Sequence, residues 1–427
     1  MRYLFVSMVA ILFCGSGIKA QNTLDYFISQ ALKNSPLINV NNNLKKVNEL
    51  EAQRLKAIYT KPKIGLTANY LFAPIISTSN NKTTFEFNSS GTANYYGYDL
   101  GATNGGEYQA LVNVTQPLFN TEKYKTAAEQ VSIETQINGN NTKLTAHDIE
   151  KIVADQYILC LQDNQQIADA EIFVTLLADQ KDILFRLIQS GIYKQSDLIL
   201  LTIEQQNLQA QVETLKANYQ RDLLELYTIC GINDTTMVQL QSIELKLNGK
   251  VSNSMFTESF RLDSLNLAAR QNVFELQYKP QVNFFANTGL WTFNISDIPQ
   301  RFGMSAGVNL SWNIFDGRQK ELNRQKTLIL QQNTSFQKNY FETQNKIRLN
   351  KILNEIKSTL NQIEIAKNQL KNYDFLLETY KKELSAGEIS ILDFLTVLKN
   401  KTTLTGTYNL LLHKNQSLIN AYNYWNW

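Results

Sequence analysis

The segments SGIYKQSDLILL (residues 190–201) and AGEISILDFLTV (residues 386–397) follow the same plan. In each, a glycine, Gly191 or Gly387, is followed six residues later by an aspartate. Glycine accepts the left-handed conformation that commonly ends a helix, and an acidic residue shortly afterwards can satisfy the free amides of the next helix. The sequence therefore predicts two helical hairpins that turn near residues 191 and 387.

One offset relates these copies to a second pair of landmarks. The two glycines lie 196 residues apart, as do QPLFN (residues 116–120) and WNIFD (residues 312–316). YTKP, ending at Pro62, and QYKP, ending at Pro280, lie 218 residues apart. The chain therefore reads as two similar halves, the first with about 22 additional residues in the Asn-, Ser-, Thr- and Gly-rich stretch 73–106.

The proline distribution favours long helices in both halves. All six prolines lie at positions 36, 62, 74, 117, 280 and 299, which leaves residues 118–279 and 300–427 without any. Helices are uninterrupted where proline is absent. Apolar residues also recur at helical spacing, as in Leu198, Leu201, Leu208, Val212, Leu215, Tyr219 and Leu226. Each half is predicted to contain a β-hairpin followed by a long helical hairpin.

Four segments alternate apolar and polar residues as strands do. The clearest runs from Phe302 to Ile314, and the others cover residues 64–72, 108–115 and 282–290. A 13-residue strand spans about 43 Å, and a tilt near 45° brings that to about the hydrocarbon thickness of a membrane. A membrane β-barrel is favoured over a soluble sandwich core. The expected aromatic girdle comprises Tyr70, Phe72, Tyr95, Tyr96, Tyr98, Trp291 and Phe302.

Four strands are too few to close a membrane barrel, since the smallest have about eight. An open strand edge in lipid would leave backbone groups without partners. The chain must therefore oligomerise to insert. This argument allows any multiple of four strands and does not choose between two, three and four subunits.

The N-terminus has the plan of a secretory signal. Arg2 precedes an apolar run that ends at Phe13, and a small residue, Ala20, precedes the expected cleavage point. Cys14 raises the alternative of a lipid anchor, which Phe13 opposes because a lipoprotein signal has a small residue there. Residues 1–20 are predicted to be removed, leaving Cys160 and Cys230 as two buried free thiols.

Charge and histidine content indicate neither nucleic-acid binding nor catalysis. The formal net charge of the whole chain is only +3, which gives no basic footprint for nucleic acid. His147 and His413 are the only histidines, and neither belongs to a metal-binding or phosphate-binding motif. No enzyme, metal site or cofactor is predicted. A non-conducting coiled-coil adhesin anchored in a membrane remains the alternative to a conducting duct.

These features together resemble the TolC family of outer-membrane efflux proteins. The resemblance rests on LDYFISQALKNSP (residues 24–36), QPLF (residues 116–119), LSWNIFDG (residues 310–317) and the two Gly-to-Asp turns, in this order. It implies a mixed α and β membrane protein with four transmembrane β-strands per chain. In a homotrimer these strands would form a 12-stranded barrel, continued by a periplasmic α-helical barrel built from the two repeats.

The resemblance also implies location, partners and site residues. The protein would lie in the outer membrane of a Gram-negative bacterium, extend into the periplasm, and dock to a periplasmic adaptor and an inner-membrane pump of RND or ABC type. Gly191 and Gly387 would be the tips that touch the adaptor, and Asp393 would lie near the closing aperture. Asp393 also forms a candidate capping box with Ser390. The cargo stays open among small toxic molecules, metal ions and polypeptides.

The same resemblance gives the expected division of the chain. The first repeat comprises an N-terminal helix (21–63), a β-hairpin with an extracellular loop (64–117) and a helix pair with its tip near 191 (118–230). An equatorial linker (231–260) leads to the second repeat, with a helix (261–279), a β-hairpin (280–315) and a helix pair with its tip near 387 (316–427). Around the second tip, Leu384, Ile389 and Thr396 stand where the best-known relative has a tyrosine, an arginine and a second aspartate.

Overall fold

The computed structural model describes residues 22–86, 95–96, 106–249, 251 and 254–427. The predicted signal peptide and Tyr98 lie outside these residues. The chain divides into two compact units, which are described separately. One contains the described residues of Met1–Asn42 together with Asn140–Ser259 and Gln337–Trp427, and the other contains the described residues of Asn43–Gly139 and Phe260–Phe336.

Seven α-helices lie within the described residues. They are α1 (Leu24–Asn34), α2 (Pro36–Thr60), α3 (Thr121–Gln189), α4 (Gln195–Cys230), α5 (Thr257–Glu275), α6 (Gln319–Ala386) and α7 (Ile391–Trp425). The two longest, α3 with 69 residues and α6 with 68, occupy proline-free stretches as expected. Among the described helices, none is both long and apolar enough to cross a membrane.

The N-terminal segment differs from the single helix expected over residues 21–63. It forms two helices, because Ser35 has an extended backbone and Pro36 starts α2. A proline suits the first turn of a helix but disfavours the helical conformation in the residue before it. Thr23 caps α1, since its side chain accepts a hydrogen bond from the Tyr26 amide at 3.3 Å.

The four predicted strands form one antiparallel sheet, ordered β1-β5-β6-β7. Its members are β1 (Lys63–Phe72), β5 (Gly106–Leu118), β6 (Gln281–Thr292) and β7 (Phe302–Ser311). A separate three-stranded sheet, β3-β2-β4, comprises β2 (Ile75–Ser79), β3 (Lys82–Glu86) and β4 (Tyr95–Tyr96). The sequence did not predict this sheet, because turn-forming residues dominate the inserted stretch.

The linker after α4 is extended and is held by side chains rather than by a sheet. Gly231 ends α4 in the left-handed conformation (φ 62°). The Tyr157, Tyr219 and Tyr227 hydroxyls each donate a 2.7 Å hydrogen bond to a linker carbonyl, of Gln241, Val238 and Thr236 respectively. The side-chain amides of Gln416 and Asn423 in α7, and of Asn426 directly after it, accept hydrogen bonds from linker amides. Tyrosine hydroxyls and side-chain amides thus replace the partners that a neighbouring strand would supply.

Three apolar cores lie in the first unit. The tip core joins α3, α4, α6 and α7, and its fully buried members include Leu177, Leu184, Leu201, Leu384 and Phe394. The α1 core packs α1 against α3 and α4 through residues such as Phe27, Tyr157, Cys160, Leu223 and Leu226. The third core contains Ile352, Ile356, Ile419 and Tyr422 of α6 and α7. The helical stripes read from the sequence are therefore packing surfaces.

Candidate functional site

The four-stranded sheet has one continuous apolar face. Its register aligns Ile64, Val114, Ala286 and Ala306 in one row across the strands. The next row is Leu66, Val112, Thr288 and Met304. Leu66 is 74% exposed, Met304 85% and Val308 64%. Water-exposed apolar area of this kind is unfavourable, so the face requires a lipid or protein partner.

The opposite face of the sheet is mostly polar and largely uncharged, although Leu111, Phe285 and Trp291 interrupt it. Asn69 donates to Gln109 Oε1 (3.0 Å), Asn113 donates to Thr67 Oγ1 (2.7 Å) and Ser305 donates to Asn287 Oδ1 (2.7 Å). Cross-strand amide and hydroxyl pairs of this kind hold a wet sheet surface in register. The two faces together match the apolar-out and polar-in alternation of a membrane barrel.

Both edges of the sheet are open within the described chain. In the observed strand order, β1 and β7 each pair on one side only. The backbone N–H and C=O groups on the outer sides of β1 and β7 therefore have no strand partner within the described chain. β7 ends at Ser311, three residues before the alternation ends, and the Trp312 indole donates to Tyr278 O at 3.1 Å.

Aromatic residues cluster where the sheet faces its loops. The rings of Tyr70 and Tyr108 lie 5.0 Å apart, and the Trp291 indole donates to Glu107 Oε1 at 2.7 Å. Phe72 and Phe302 are exposed at the same end. This end of the sheet carries the aromatic residues that the girdle prediction named, apart from residues 95, 96 and 98, whose side chains lie outside the described part.

The first tip turn comprises residues 190–194, between α3 and α4. Gly191 has φ +78°, and its amide bonds to Ile188 O at 2.9 Å while the Ile192 amide bonds to Leu187 O at 3.0 Å. This is the Schellman arrangement, which satisfies the last carbonyls of a helix. A Cβ added at Gly191 would meet nothing within 4 Å. Gly191 is therefore required for its backbone conformation rather than for space.

The second tip turn comprises residues 387–390, between α6 and α7. Gly387 has φ +79° and makes the same pair of hydrogen bonds, with its own amide bonded to Leu384 O at 3.1 Å. A Cβ at Gly387 would lie only 2.6 Å from Cγ2 of Ile192. The first tip turn therefore packs directly on the glycine of the second.

Tyr193 forms a polar contact between the tip turns that the sequence analysis missed. Its hydroxyl oxygen lies 3.0 Å from Leu384 O and 2.7 Å from Ile389 O, so its single proton is shared between two carbonyls of the second hairpin. Burial, and secondarily the charge of Asp197, raises the pKa of Tyr193. The 196-residue offset could have drawn attention to this position, because it equates Tyr193 with Ile389, which it contacts.

The aspartates at the two tips differ in their capping partners. Ser390 Oγ accepts from the Asp393 amide at 3.1 Å and donates to Asp393 Oδ2 at 2.7 Å. In the first tip, Asp197 Oδ2 accepts from the Lys194 amide at 2.9 Å, and Lys194 provides no side-chain acceptor. Ser390 therefore caps α7, but the Asp393 carboxylate accepts from the Ser390 hydroxyl instead of the Ser390 amide, so only one half of the expected capping box is observed. The aperture role of Asp393 stays a prediction.

Leu384, Ile389 and Thr396 of the second hairpin stand where the best-known relative has polar residues, and their side chains pack or bond within the hairpin. Leu384 is fully buried in the tip core, and Ile389 packs against the same core. The Thr396 hydroxyl donates to Leu392 O, one turn earlier in its own helix. Leu384 and Ile389 contribute only backbone carbonyls to the polar contacts of the tip, and Tyr193 is their partner.

The histidines and cysteines occupy packing positions. The His147 ring stacks on Trp427 with centroids 4.0 Å apart, and burial lowers the pKa of His413. Cys160 and Cys230 are free and buried, as predicted, and burial raises the pKa of each thiol to about 12. Thiols with such pKa values are poor nucleophiles at neutral pH. Among the described residues, no group of three metal-ligating side chains converges.

One buried acidic pair stands out in the first hairpin. Asp163 of α3 and Asp222 of α4 are both buried, and burial together with the adjacent Asp222 raises the pKa of Asp163 to about 7. Arg221 Nε donates a 2.8 Å hydrogen bond to Asp222 Oδ1, and this contact lowers the pKa of Asp222. Asp163 Oδ2 has no donor among the described residues. The two carboxyls can share a hydrogen bond only while Asp163 keeps its proton.

The open-edged sheet with two long helical hairpins defines the fold of TolC-like outer-membrane channels. This confirms the mixed helix and strand fold of a single TolC-like chain, whereas the trimeric barrel stays a prediction. No family model matches the chain, and no curated protein matches it in sequence. The match to solved structures therefore carries the comparison.

Three of these structures illustrate the likeness. The outer membrane protein VceC from Vibrio cholerae is 14% identical over 94% of this chain and 95% of its own, with a TM-score of 0.70. The Campylobacter jejuni CmeC outer membrane channel is 12% identical over 94% and 85%, with a TM-score of 0.68. The open state of the Neisseria gonorrhoeae MtrE outer membrane channel is 11% identical over 94% and 88%, with a TM-score of 0.68.

Proposed function

We propose that this protein is the outer-membrane channel of a tripartite efflux or type I secretion system. It conducts cargo passively from an inner-membrane pump of RND or ABC type, through a periplasmic adaptor, to the cell exterior. The observation that carries this proposal is the four-stranded sheet with one exposed apolar face and two open edges. The shared fold with outer-membrane channels supports it.

Closure of the sheet requires further copies of the chain. Lipid supplies no hydrogen bonds for the free edges of β1 and β7, so β7 of one copy pairs with β1 of the next. Three copies give the homotrimer with a 12-stranded barrel that the resemblance implied. The apolar face then meets outer-membrane lipid, and the amide-rich face lines the passage.

The two tip turns form the periplasmic end, where the adaptor docks. Gly191 and Gly387 permit the sharp reversals, and the exposed Ile192 lies between them. Asp393 lies beside the aperture of the closed channel, where three copies would favour cations. Replacing Gly191 by a bulky residue tests adaptor contact more cleanly than replacing Gly387, because the space around Gly191 is open.

Adjacent positions on β7 offer a matched test of the membrane face. Val308 lies on the apolar face and Asn309 on the polar face of the same strand. We expect Val308→Arg to prevent outer-membrane insertion, since an arginine facing lipid costs about 2–4 kcal/mol at the midplane. Asn309→Arg should insert normally. Equal insertion of both variants, measured by membrane fractionation, would contradict the assignment of faces.

Conduction separates the channel from a coiled-coil adhesin. Detergent-purified protein should appear as threefold particles with a central passage by single-particle imaging, and should conduct ions in planar bilayers. An adhesin would show a solid stalk and no conductance. Deleting the chain in its native host should sensitise cells to cargo or stop export, whereas Asn309→Arg should alter conductance without removing the protein from the membrane.

A further inference from the structure

The sheet has one end that is rich in exposed aromatic and basic residues. β1 starts at Lys63, β5 ends at Leu118, β6 starts at Gln281 and β7 ends at Ser311. The register pairs Lys63 with Thr115, Leu118 with Val282, and Gln281 with Ser311, so these four termini lie at one end. Helices α3 and α6 start a few residues later. This is called the basic end, and the opposite one the loop end.

Both repeats place a phenylalanine at the basic end with its ring in solvent. Phe119 follows β5 and is 88% exposed, and Phe315 follows β7 and is 81% exposed. They occupy equivalent positions in QPLFN and WNIFD. Ile314, beside Phe315, is also exposed. Large apolar side chains exposed at the edge of an apolar sheet face continue that face beyond the strands.

Phe119 keeps this position although its backbone is strained. Its φ of +58° lies in the left-handed region that bulky residues avoid. A phenylalanine that is almost fully exposed gains little packing energy to offset this strain. Glycine or asparagine would satisfy the turn with less strain. The ring at position 119 therefore serves something other than the stability of the described chain.

The basic end also carries an excess of positive charge. Its segments 60–63, 117–125, 275–281 and 311–321 contain seven basic residues, Lys61, Lys63, Lys123, Lys125, Lys279, Arg318 and Lys320, and four acidic residues, Glu122, Glu275, Asp316 and Glu321. Glu122 pairs with Lys125, and Glu275 with Lys320 and Arg324. Asp316 accepts hydrogen bonds from the Gln319 and Lys320 amides.

Four cations at this end are exposed and have no ion-pair partner among the described residues: Lys61, Lys63, Lys279 and Arg318. The charge of Lys279 acts on neighbours of both signs. It contributes to lowering the pKa of Glu122, and it also lowers the pKa of Lys123, where burial is the larger cause. Positive charge at this end is therefore only partly compensated within the chain.

The loop end differs in charge. At its strand termini and the short helix Ile295–Gln300, the described charged residues are Glu107, Asp297 and Arg301. The two carboxylates of the loop end outnumber its one cation, so its aromatic residues are not accompanied by an excess of positive charge. An aromatic girdle alone requires only a membrane interface, whereas aromatic rings next to unpaired cations also fit anionic headgroups.

We infer that the basic end binds acidic phospholipid in the membrane leaflet nearest the helices. Phe119 and Phe315 insert among the acyl chains next to the headgroups, and Lys61, Lys63, Lys279 and Arg318 contact the lipid phosphates. The inference rests on the proposed function, because it requires the apolar face to lie in the bilayer. It adds the class of lipid, the leaflet and the residues that recognise it.

Native mass spectrometry of the full-length oligomer tests lipid recognition. Protein reconstituted in phosphatidylcholine vesicles containing phosphatidylglycerol is extracted, and the retained lipids are counted. We expect phosphatidylglycerol to be enriched about tenfold over its share of the vesicle, because cations near a membrane surface attract anionic headgroups. The variant Lys61→Gln/Lys63→Gln/Lys279→Gln/Arg318→Gln should lose most of this enrichment. Arg301→Gln at the loop end should keep it.

The phenylalanine is tested by a variant that improves the turn. Phe119→Asn removes the ring and suits the left-handed backbone, so it should raise the Tm in detergent while lowering lipid retention. If Phe119 served only the stability of the fold, Phe119→Asn would lower the Tm. This split between stability and lipid binding distinguishes membrane contact from folding.

Several outcomes overturn the inference. Equal retention of phosphatidylglycerol and phosphatidylcholine would do so, as would unchanged retention in the quadruple variant. Displacement of the lipid by inorganic phosphate alone would indicate a site for free anions. Normal retention in the quadruple variant with loss of adaptor co-purification would assign the surface to a protein partner. Wild-type protein that conducts normally in every vesicle keeps the channel proposal intact, whereas absence of conductance in all lipids would reject that proposal instead.

Discussion

The two repeats share their landmarks but place them in different surroundings. Gly191 and Gly387 have nearly the same φ, +78° and +79°, and the same pattern of helix-ending hydrogen bonds. Open space surrounds the first glycine, and Ile192 covers the second. Tyr193 then bonds to the carbonyl of its own repeat counterpart, Ile389. Repetition sets the turn, and contact between the repeats makes the two turns unequal.

The buried layers differ in the same way. Cys160, Leu223 and Leu226 of the α1 core correspond, at the 196-residue offset, to Ile356, Ile419 and Tyr422 of the third core. The pair Asp163 and Asp222 corresponds to Thr359 and Leu418. The first repeat thus buries two carboxyls where the second has a buried hydroxyl and a partly buried apolar side chain. The two repeats therefore share their apolar positions but differ in the polar side chains next to them.

The largest predicted effect concerns Asp163. Its pKa is about 7 in the folded chain against 3.8 ordinarily, so the unfolded chain releases this proton first as pH rises. Stability should therefore fall between about pH 4 and pH 8, by on the order of 2–4 kcal/mol. Asp163→Asn keeps the shape without the charge, and should flatten the profile and raise the Tm at pH 8. Thermal unfolding across this pH range measures it.

Asp179, an exposed aspartate of the same helix, provides the control for that profile. Asp179→Asn should leave the pH dependence unchanged. Thr359→Val in the second repeat should also leave it unchanged, since no proton is involved there. A profile that stays steep in Asp163→Asn would show that the acidic pair is not its source.

The next effect compares the two glycines. Gly387→Val combines an unfavourable φ with a clash against Ile192, and should destabilise by about 3 kcal/mol. Gly191→Val meets only the backbone strain, and should cost about 1–3 kcal/mol. Chemical unfolding of both variants gives the difference. A double variant with Ile192→Ala should recover part of the loss at Gly387 only, and no recovery would exclude the packing of Ile192 on that glycine.

A smaller effect is expected from the contact between the tips. Tyr193→Phe removes the hydroxyl that lies near Leu384 O and Ile389 O, and should lower stability by about 1 kcal/mol. Hydrogen exchange of the second tip turn should increase in this variant. Tyr380→Phe, in the same core, is the comparison. Equal exchange in both variants would rule out a specific role for Tyr193.

The smallest effect separates the two helix starts. Ser390→Ala removes a side-chain cap from α7 and should cost about 1 kcal/mol. Lys194→Ala at the corresponding start of α4 removes no acceptor, and should change stability by less than about 0.5 kcal/mol. Thermal unfolding of the two variants side by side tests the ranking. A larger loss of stability in Lys194→Ala than in Ser390→Ala would contradict this ranking.

Much of the fold follows from local pattern. The alternation between Phe302 and Ser311 has one apolar face whatever lies beside it, and the absence of proline after Gln300 allows α6. Gly191 and Gly387 were found as turn residues because left-handed backbone has few chemical solutions. These are properties of residues within one or two turns of each other. They can be read before any tertiary contact is known.

The small sheet β3-β2-β4 could not be predicted in this way. Its strands are short and lie in a stretch rich in residues that usually form turns, so pairing rather than propensity decides them. The extended linker after Gly231 is a similar case, because tyrosine hydroxyls and amide side chains distant in sequence hold it. Neither leaves a periodic signal.

The sequence by itself determined the duplication, the long helices, the four strands and the position of both turns, because these depend on spacing and on backbone chemistry. Only the tertiary structure decided that Ile192 covers Gly387, that Tyr193 contacts Ile389, and that Asp163 meets Asp222. Those contacts join turns or helices that are distant in sequence. Their energies depend on distance and burial, which residue order alone does not specify.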